Sequence, residues 1–239
     1  MGKMALILFG ISYLENYLHW SNTINLIDFS KSVDNYKHYI FDYFTSKYNF
    51  NEIDVFFATN ILNDNIKSIL LETYKPKKYI FVKDETTPIL SRNVKLKKAI
   101  ECCLEYKNIY DLCFITRFDL LFQREFKNIN FETFNMISKI EQPQLICDNV
   151  YIFPYKYLLP FYNLTISNLN KSFHTIKTDI EQISPIHYLY NEGLSVDKLS
   201  FYKIFRNSKI NYNKIKNRIK NGKSILGKHT KLEKIYFRI

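Results

Sequence analysis

The residues best suited to chemistry in this sequence are Arg117 and Asp119, which close the segment YDLCFITRFD. The apolar residues before them are typical of a strand buried on both faces, and charged groups at the end of such a strand are typical of ligand sites in open α/β sheets. A carboxylate there can hold a divalent cation against a diphosphate, and a guanidinium can bind phosphate through its planar fork. The two residues could equally form a structural ion pair, and both interpretations stay open at this point.

A regular alternation of strands and helices precedes these residues and predicts a parallel sheet with helices on both faces. The predicted strands are Met4 to Gly10, Ile53 to Ala58, Lys78 to Val82 and the segment ending at Arg117. The predicted helices are Ser30 to Lys47, Asp64 to Tyr74 and Arg92 to Tyr106, the last with Ser91 as its N-cap. Because carboxyl ends of parallel strands share an edge, we expect Gly10, Asn60 and Arg117 to lie along it.

The second half has a less regular pattern. It predicts a helix around 131–139, short strands at 144–147 and 150–153, helices at 155–168 and 179–191, and an edge strand at 195–202. No linker or repeat separates the halves, so we expect this α+β half to share the sheet. The predicted fold class is α/β, a single domain with a Rossmann-like, mostly parallel central sheet. A hydrophobic fraction of 46% excludes a disordered chain.

The net charge of +11 comes from residues 201–239, which contain 12 Lys and Arg residues against one Glu. Residues 1–200 are neutral and carry no electrostatic signature of nucleic-acid binding. We therefore divide the chain into a domain of residues 1–200 and a basic C-terminal segment of residues 201–239. Isoleucines interleaved with the basic residues would let this segment contact an anionic membrane or nucleic acid, fold over a nucleotide, or form a solvated helix.

The four cysteines lie in apolar patterns without the paired spacing of a zinc site, so we expect buried thiols. They are Cys102, Cys103, Cys113 and Cys147. The apolar run from Met4 to Ile11 is short and lacks a small-residue cleavage site, and no later run has the length of a membrane span. These features predict a soluble cytoplasmic protein.

Five segments in this order resemble a family of small GT-A-type glycosyltransferases, including ones encoded by large DNA viruses of algae and amoebae. The segments are FGISY, DNYKHYIFDYF, IDVFFATN, YDLCFITRFDLLF and ICDNVYIFP. The resemblance spans roughly residues 4–200 and implies a GT-A fold and a host-cytoplasmic location for a viral protein. It also implies transfer of a sugar from a nucleotide diphosphate donor, with a UDP-sugar as the first guess, to a glycan, a protein or another hydroxyl acceptor. The implied cofactor is Mn²⁺ or Mg²⁺.

The resemblance also implies roles for individual residues. The nucleotide pocket would be lined by Phe9, Gly10, Ser12 and Tyr13. Asn60 would contact the base or ribose, Arg117 the diphosphate and Asp119 the metal. Many relatives have an Arg soon after the first Gly, and residues 11–15 offer none. Arg92, Lys95 or Lys98 could supply that contact; we assign Lys98 and expect a solvated helix face for at least two of the three.

Asp148 and His187 complete the candidate site. An inverting transferase needs a carboxylate to remove the acceptor proton, and Asp148 could do so, although an Asp-Asn pair also commonly forms a turn. His187 could complete the metal shell, although a lone His on an amphipathic helix is more often packed or exposed.

Two other function classes stay open. The first is a non-enzymatic protein that binds nucleic acid or a membrane surface through the basic C-terminal segment, although no specific nucleic-acid signature accompanies that segment. Another Rossmann-like nucleotide enzyme is the weaker alternative, since the chain has neither a GxGxxG nor a GxxxxGK[ST] loop.

Overall fold

The computed structural model describes residues 2–18, 24–139, 145–192, 202–204 and 207–209. The strands are β1 (Gly2–Gly10), β2 (Tyr13–Leu18), β3 (Ile24–Asp28), β4 (Phe50–Asn60), β5 (Lys78–Val82), β6 (Leu112–Arg117), β7 (Leu120–Phe122), β8 (Phe134–Lys139), β9 (Val150–Pro154), β10 (Ile186–Glu192), β11 (Tyr202–Ile204) and β12 (Asn207–Lys209). A seven-stranded central sheet has the order β10-β8-β9-β6-β1-β4-β5.

The helices are α1 (Val33–Tyr36), α2 (Tyr43–Tyr48), α3 (Asp64–Tyr74), α4 (Pro88–Glu105), α5 (Leu158–Ser167) and α6 (Lys177–Ile183). The predicted helix over 30–47 is a composite: a 3₁₀ turn, Phe29–Ser32, precedes α1, and a π-helical stretch, Lys37–Asp42, joins α1 to α2. Single π-type turns of this kind are often found near functional sites.

Strands β6, β1, β4 and β5 run parallel, as predicted. Successive residues of β1 enter opposite faces of the sheet: Leu6 and Leu8 lie in one core layer, and Ile7 and Phe9 lie in the other. Segment 29–48 and α3 cover the first layer, and α4, α5 and α6 cover the second. Burial on both faces explains the continuous apolar run of β1, and the predicted α/β fold class is confirmed.

Helix α4 begins one turn earlier than predicted. Thr87 accepts a hydrogen bond from the backbone N–H of Leu90 through its side-chain oxygen, at 3.2 Å, and Pro88 occupies the first helical position. Proline suits that position because its fixed φ is helical and its missing N–H would have no partner there. Ser91, the predicted N-cap, therefore lies inside the helix.

The second half extends the sheet with elements that differ from those predicted. The helix predicted around 131–139 is wrong, because Phe134–Lys139 forms β8. The helix predicted over 179–191 ends at Ile183, and Ile186–Glu192 forms β10, which pairs parallel with β8. Pairing with a neighbouring strand outweighs the local helical pattern in both segments. The predicted strand at 150–153 is confirmed as β9, and the helix predicted at 155–168 corresponds to a 3₁₀ turn and α5.

Two small sheets, one of β2, β3 and β12 and one of β7 and β11, accompany the central sheet. Strands β11 and β12 belong to the basic C-terminal segment, so its first residues return to pair with β7 and β3. The remainder of that segment lies outside the described residues, as do most of the predicted strand at 195–202 and the start of the strand predicted at 144–147.

The four cysteines are buried free thiols, as predicted. Within the residues that the structure describes, we find no helix that combines the length and the apolar character needed to cross a membrane.

Candidate functional site

The carboxyl ends of β1, β4 and β6 meet at one edge of the central sheet. Phe9 pairs in register with Arg117 of β6, and Gly10 pairs with Thr59 of β4. Asn60 follows directly as the last residue of β4. The sequence therefore places these strand ends along a common edge correctly, because neighbouring parallel strands end on the same side of the sheet.

Arg117 and Asp119 form a bidentate ion pair at this edge. Arg117 Nε donates to Asp119 Oδ1 over 2.7 Å, and Nη2 donates to Oδ2 over 2.6 Å. The third guanidinium nitrogen, Nη1, donates to Asn149 Oδ1 over the longer distance of 3.3 Å. Fork-to-carboxylate geometry gives the strongest and most specific salt bridges. The ion pair, one of the two interpretations left open by the sequence, is present.

The turn that carries this pair is anchored from the core side. Phe118 is the residue between Arg117 and Asp119, and its ring packs inside the core. Ser32 Oγ donates to the carbonyl oxygen of Phe118 over 2.7 Å, and the Tyr36 hydroxyl donates to the carbonyl oxygen of Arg117. Buried hydrogen bonds of this kind fix the backbone that presents the guanidinium.

Two further features strengthen this anchoring. Asn35 exchanges two hydrogen bonds with the backbone of Phe122, at 2.7 and 2.8 Å, much as a neighbouring strand would. Burial raises the pKa of Tyr36 well above its ordinary value, so the hydroxyl stays a donor over the usual pH range. The helical segment 29–36 therefore positions the whole of turn 117–122.

A second cluster of charged side chains, built around Asp148, lies beside the Arg117–Asp119 pair. The Asp148 carboxylate contacts Arg92 of α4, with Nη2 and Oδ2 3.2 Å apart, and His174, with Nε2 and Oδ1 3.2 Å apart. Arg92 also donates to the carbonyl oxygen of Asp148, and its guanidinium lies over the Phe9 ring at 5.2 Å. Because Asn149 contacts Arg117, the two charged groups meet at residues 148–149.

Lys95 forms a third ion pair near this edge. Its side chain is 1% exposed and pairs with Asp84, which follows the end of β5, and its Nζ donates to Ser91 Oγ over 2.7 Å. Partial burial acts to raise the pKa of Asp84, but the hydrogen bonds from Lys95 and Ser91 outweigh it and lower that pKa. Arg92, Lys95 and Arg117 are therefore each paired with an aspartate.

The connection after β1 forms a fixed turn with open space above it. Gly10 has a φ of +101°, and no heavy atom lies within 4 Å of the position that a Cβ would take. The backbone N–H of Ser12 donates to Thr59 Oγ1 over 2.9 Å, and Asn60 Nδ2 donates to the carbonyl oxygen of Tyr13 over 2.8 Å. Asn60, predicted to contact a base or ribose, is buried and uses its amide to hold this turn.

No protein-family model matches the chain, and no curated protein sequence matches it significantly. Solved structures similar to the chain over most of its length have low sequence identity to it. A glycosyltransferase involved in the glycosylation of the major capsid of PBCV-1 has 9% identity, covers 85% of this chain and 92% of its own, and gives a TM-score of 0.46. A nucleoside-diphosphate-sugar pyrophosphorylase from Vibrio cholerae has 11% identity, coverage of 79% and 92%, and a TM-score of 0.44. An inositol-1-phosphate CTP transferase from T. maritima has 10% identity, coverage of 86% and 90%, and a TM-score of 0.41.

Two residues assigned to the site from the sequence lie elsewhere. Lys98 pairs with Glu101, which lies one turn further along α4, at 2.7 Å. His187 lies on β10, the outer strand, with β8 and β9 between it and β6, and its Nε2 lies 2.8 Å from the carbonyl oxygen of Asn128. The structure therefore brings neither residue to the Arg117–Asp119 pair.

The structure brings Arg92 and Lys95 to the edge in place of Lys98. Spacing in the sequence does not separate the three basic residues, because Arg92, Lys95 and Lys98 each precede a buried residue of α4 by four positions: Leu96, Ala99 and Cys102. Residues four apart share a helix face, so this pattern places all three beside the apolar stripe of α4. His174 also has no sequence signal, because it lies in a short 3₁₀ turn.

The described residues do not fit a resident Mn²⁺ or Mg²⁺ ion well. In the ranges that the structure covers, no three His, Cys, Asp or Glu side chains are grouped in a way that could hold a metal. Both oxygens of Asp119 accept N–H groups of Arg117, so a cation bound there would lie against a positive charge. The Asp148 carboxylate is likewise engaged by Arg92 and His174. The chemistry that this edge offers is the binding of an anion by positioned guanidinium groups.

Proposed function

We propose that the protein is a glycosyltransferase that moves a sugar from a nucleotide diphosphate donor to a hydroxyl group of a glycan or protein. The observation that carries the proposal is the meeting of Arg92, Arg117 and the open turn at Gly10 on one edge of the sheet. Guanidinium groups bind phosphate oxygens in a fixed geometry, and this edge is where open α/β sheets bind nucleotides. The sequence motifs shared with GT-A-type glycosyltransferases support the same assignment.

In this proposal the nucleotide lies over Gly10 and the diphosphate lies next to the two arginines. A UDP-sugar is the first donor to test. The backbone can approach a ligand closely at Gly10, since no side chain projects there. The divalent cation at Asp119 that the sequence predicts is tested directly by a comparison of binding with and without metal.

Asp148 stays our candidate for the general base of a single displacement. The acceptor oxygen would bond to C1 of the sugar while the C1–O bond to the diphosphate breaks, leaving its electron pair on the phosphate oxygen. The acceptor proton would pass to Asp148, whose Oδ1 lies 3.2 Å from His174 Nε2. The other ring nitrogen, Nδ1, lies 2.7 Å from the carbonyl oxygen of Ile146 and so fixes the orientation of the ring.

The proposal is tested by the thermal stability of the protein with UDP, GDP, CDP and ADP, and with the corresponding nucleotide sugars. A ligand present at 100 times its Kd stabilises the folded state by about 2.7 kcal/mol, which corresponds to an increase in Tm of about 5–10 °C for a chain of this size. Transfer activity is then measured as nucleotide release with the stabilising donor. If no nucleotide diphosphate or nucleotide sugar raises the Tm, with or without Mn²⁺, the proposal is wrong.

The variant Gly10→Ala localises the binding site. Its new Cβ would project into the open space above the turn, and an L side chain at this φ costs about 1–3 kcal/mol. We expect weaker nucleotide binding in the folded variant, measured by calorimetry. Nucleotide affinity equal to that of the wild type would place the ligand away from this turn.

A further inference from the structure

We infer that the leaving diphosphate is neutralised by the guanidinium groups of Arg117 and Arg92, and that Asp119 orients Arg117 instead of holding a divalent cation. The inference rests on the proposed function and concerns the same site. It also reassigns Asp119, whose position after a central strand suggests a metal ligand from sequence alone.

The first argument is the direction in which the ion pair faces. The Arg117 side chain is 17% exposed, whereas that of Asp119 is only 2% exposed. A ligand arriving from solvent therefore meets the positive member of the pair first. A carboxylate that holds a metal against a diphosphate would have to face the ligand instead.

The second argument is the use of the Asp119 oxygens. Both accept charge-assisted hydrogen bonds from Arg117, at 2.7 and 2.6 Å, so the carboxylate sets the plane of the guanidinium. A further contact of the guanidinium, from Nη1 to Asn149 Oδ1, is longer at 3.3 Å. A phosphate oxygen is a stronger acceptor than an amide oxygen, so an incoming diphosphate can take the place of Asn149.

The third argument is the arrangement of Arg92. The Arg92 side chain is also partly exposed, and its guanidinium pairs with Asp148 and lies over the Phe9 ring. Phe9 in turn pairs in register with Arg117. The two arginines therefore flank the end of β1. Fixed donors aimed at a leaving group stabilise the charge that develops on it without reorganisation during the reaction.

The step is balanced without a metal. As the acceptor oxygen bonds to C1 of the sugar, the C1–O bond to the diphosphate breaks and its electron pair stays on the terminal phosphate oxygen. The N–H groups of Arg117 and Arg92 stabilise the negative charge gained by that oxygen. The acceptor proton goes to the general base, and the diphosphate leaves unprotonated.

The test is calorimetry of UDP and of inorganic pyrophosphate with the full chain, in excess EDTA and in excess Mn²⁺. We expect binding in EDTA with a Kd within about threefold of the value in Mn²⁺. The variant Arg117→Gln should weaken binding about tenfold or more, because it removes a charged hydrogen-bond donor. Asp119→Asn should weaken binding less than Arg117→Gln does, and equally in EDTA and in Mn²⁺, because asparagine keeps only one oxygen acceptor for the guanidinium but also removes a negative charge from the edge. If Asp119 held a metal, this variant would lose only the binding that depends on Mn²⁺.

Two variants control for charge and folding. Lys97 lies on the same helix as Arg92 and pairs with Glu101 at 3.0 Å, so Lys97→Gln removes one positive charge away from the edge and should leave the Kd unchanged. Arg117→Lys keeps the charge and loses the fork, so its affinity in EDTA should lie between those of the wild type and Arg117→Gln. Arg117→Lys therefore tests whether the guanidinium binds the diphosphate even if Asp119→Asn does not fold.

Two results would overturn the inference. Binding of UDP only in Mn²⁺, with Arg117→Lys and Arg117→Gln equally dependent on the metal, would assign the diphosphate to a cation and leave the proposed function intact. Binding of no nucleotide diphosphate or pyrophosphate under either condition would remove the proposed function, and the inference with it.

Discussion

Removal of one hydroxyl, in the variant Tyr36→Phe, tests whether the helical segment 29–36 holds the turn that presents Arg117. The Tyr36 ring is fully buried, and its hydroxyl donates to the carbonyl oxygen of Arg117. The phenylalanine ring keeps the apolar packing, so the substitution removes the hydrogen bond without opening a large cavity. The carbonyl oxygen of Arg117 loses a donor inside the protein.

The expected loss of stability follows from that geometry. Loss of this buried hydrogen bond costs about 1–2 kcal/mol, which lowers the Tm by about 2–8 °C for a chain of this size. The matched control is Tyr157→Phe, which also removes a hydroxyl that donates to a backbone carbonyl, that of Glu132 at 3.2 Å, at an exposed position. It should change the stability by less than about 0.5 kcal/mol.

The assay is urea unfolding followed by circular dichroism, combined with calorimetry of UDP. We expect Tyr36→Phe to unfold at a lower urea concentration and to bind UDP more weakly, because the guanidinium loses part of its backbone support. If Tyr36→Phe were as stable as Tyr157→Phe, the hydrogen bond from Tyr36 to Arg117 would contribute nothing to the free energy of unfolding. The assignment of a positioning role to Tyr36 would then be refuted.

Two further predictions concern pH and the basic segment. Partial burial acts to raise the pKa of Glu101, but hydrogen bonds from Lys98, Tyr162 and Lys97 lower it from 4.5 to about 2, so its stabilisation is complete above pH 4.5 and is lost as the pH falls towards 2. At neutral pH, Glu101→Gln should be about 1–2 kcal/mol less stable than the wild type, after allowance for solvent screening, and near pH 2 the two should be equally stable. A difference in urea unfolding that stays constant over this pH range would contradict the role given to Glu101. A chain truncated after Lys209 keeps β11 and β12 but loses nine of the 12 basic residues of 201–239. It should keep its affinity for UDP and lose any salt-sensitive binding to anionic vesicles or DNA, whereas weaker UDP binding would show that the segment contributes to the nucleotide site.

The sequence predicts the first half of the fold well because its signals are local. The bounds of α3 and β5 are predicted as the structure has them, Asp64–Tyr74 and Lys78–Val82. Strands buried on both faces need continuous apolar runs, and amphipathic helices need a repeating apolar stripe. Each of these elements can therefore be identified from its own residues. Parallel connections then leave little choice about which strand ends share an edge.

The second half was harder to predict because its strands depend on distant partners. In β8 the buried residues include Phe134, Met136 and Ile137, a spacing that fits neither a strict strand nor a strict helix pattern. Its identity as a strand follows from pairing with β10, whose partner residues come about 50 positions later: Ile186 lies opposite Phe134. No local pattern contains that information.

The same division holds for the candidate site. The sequence by itself determined which residues stand at the strand ends, Gly10, Asn60 and Arg117, because burial and chain connection fix those positions. Only the tertiary structure decided their partners: Asp119 is turned inward against its own arginine, and Arg92 meets Asp148 from 56 residues away. Which member of an ion pair faces the ligand depends on how the helices pack against the edge of the sheet, and that packing is a property of the whole fold.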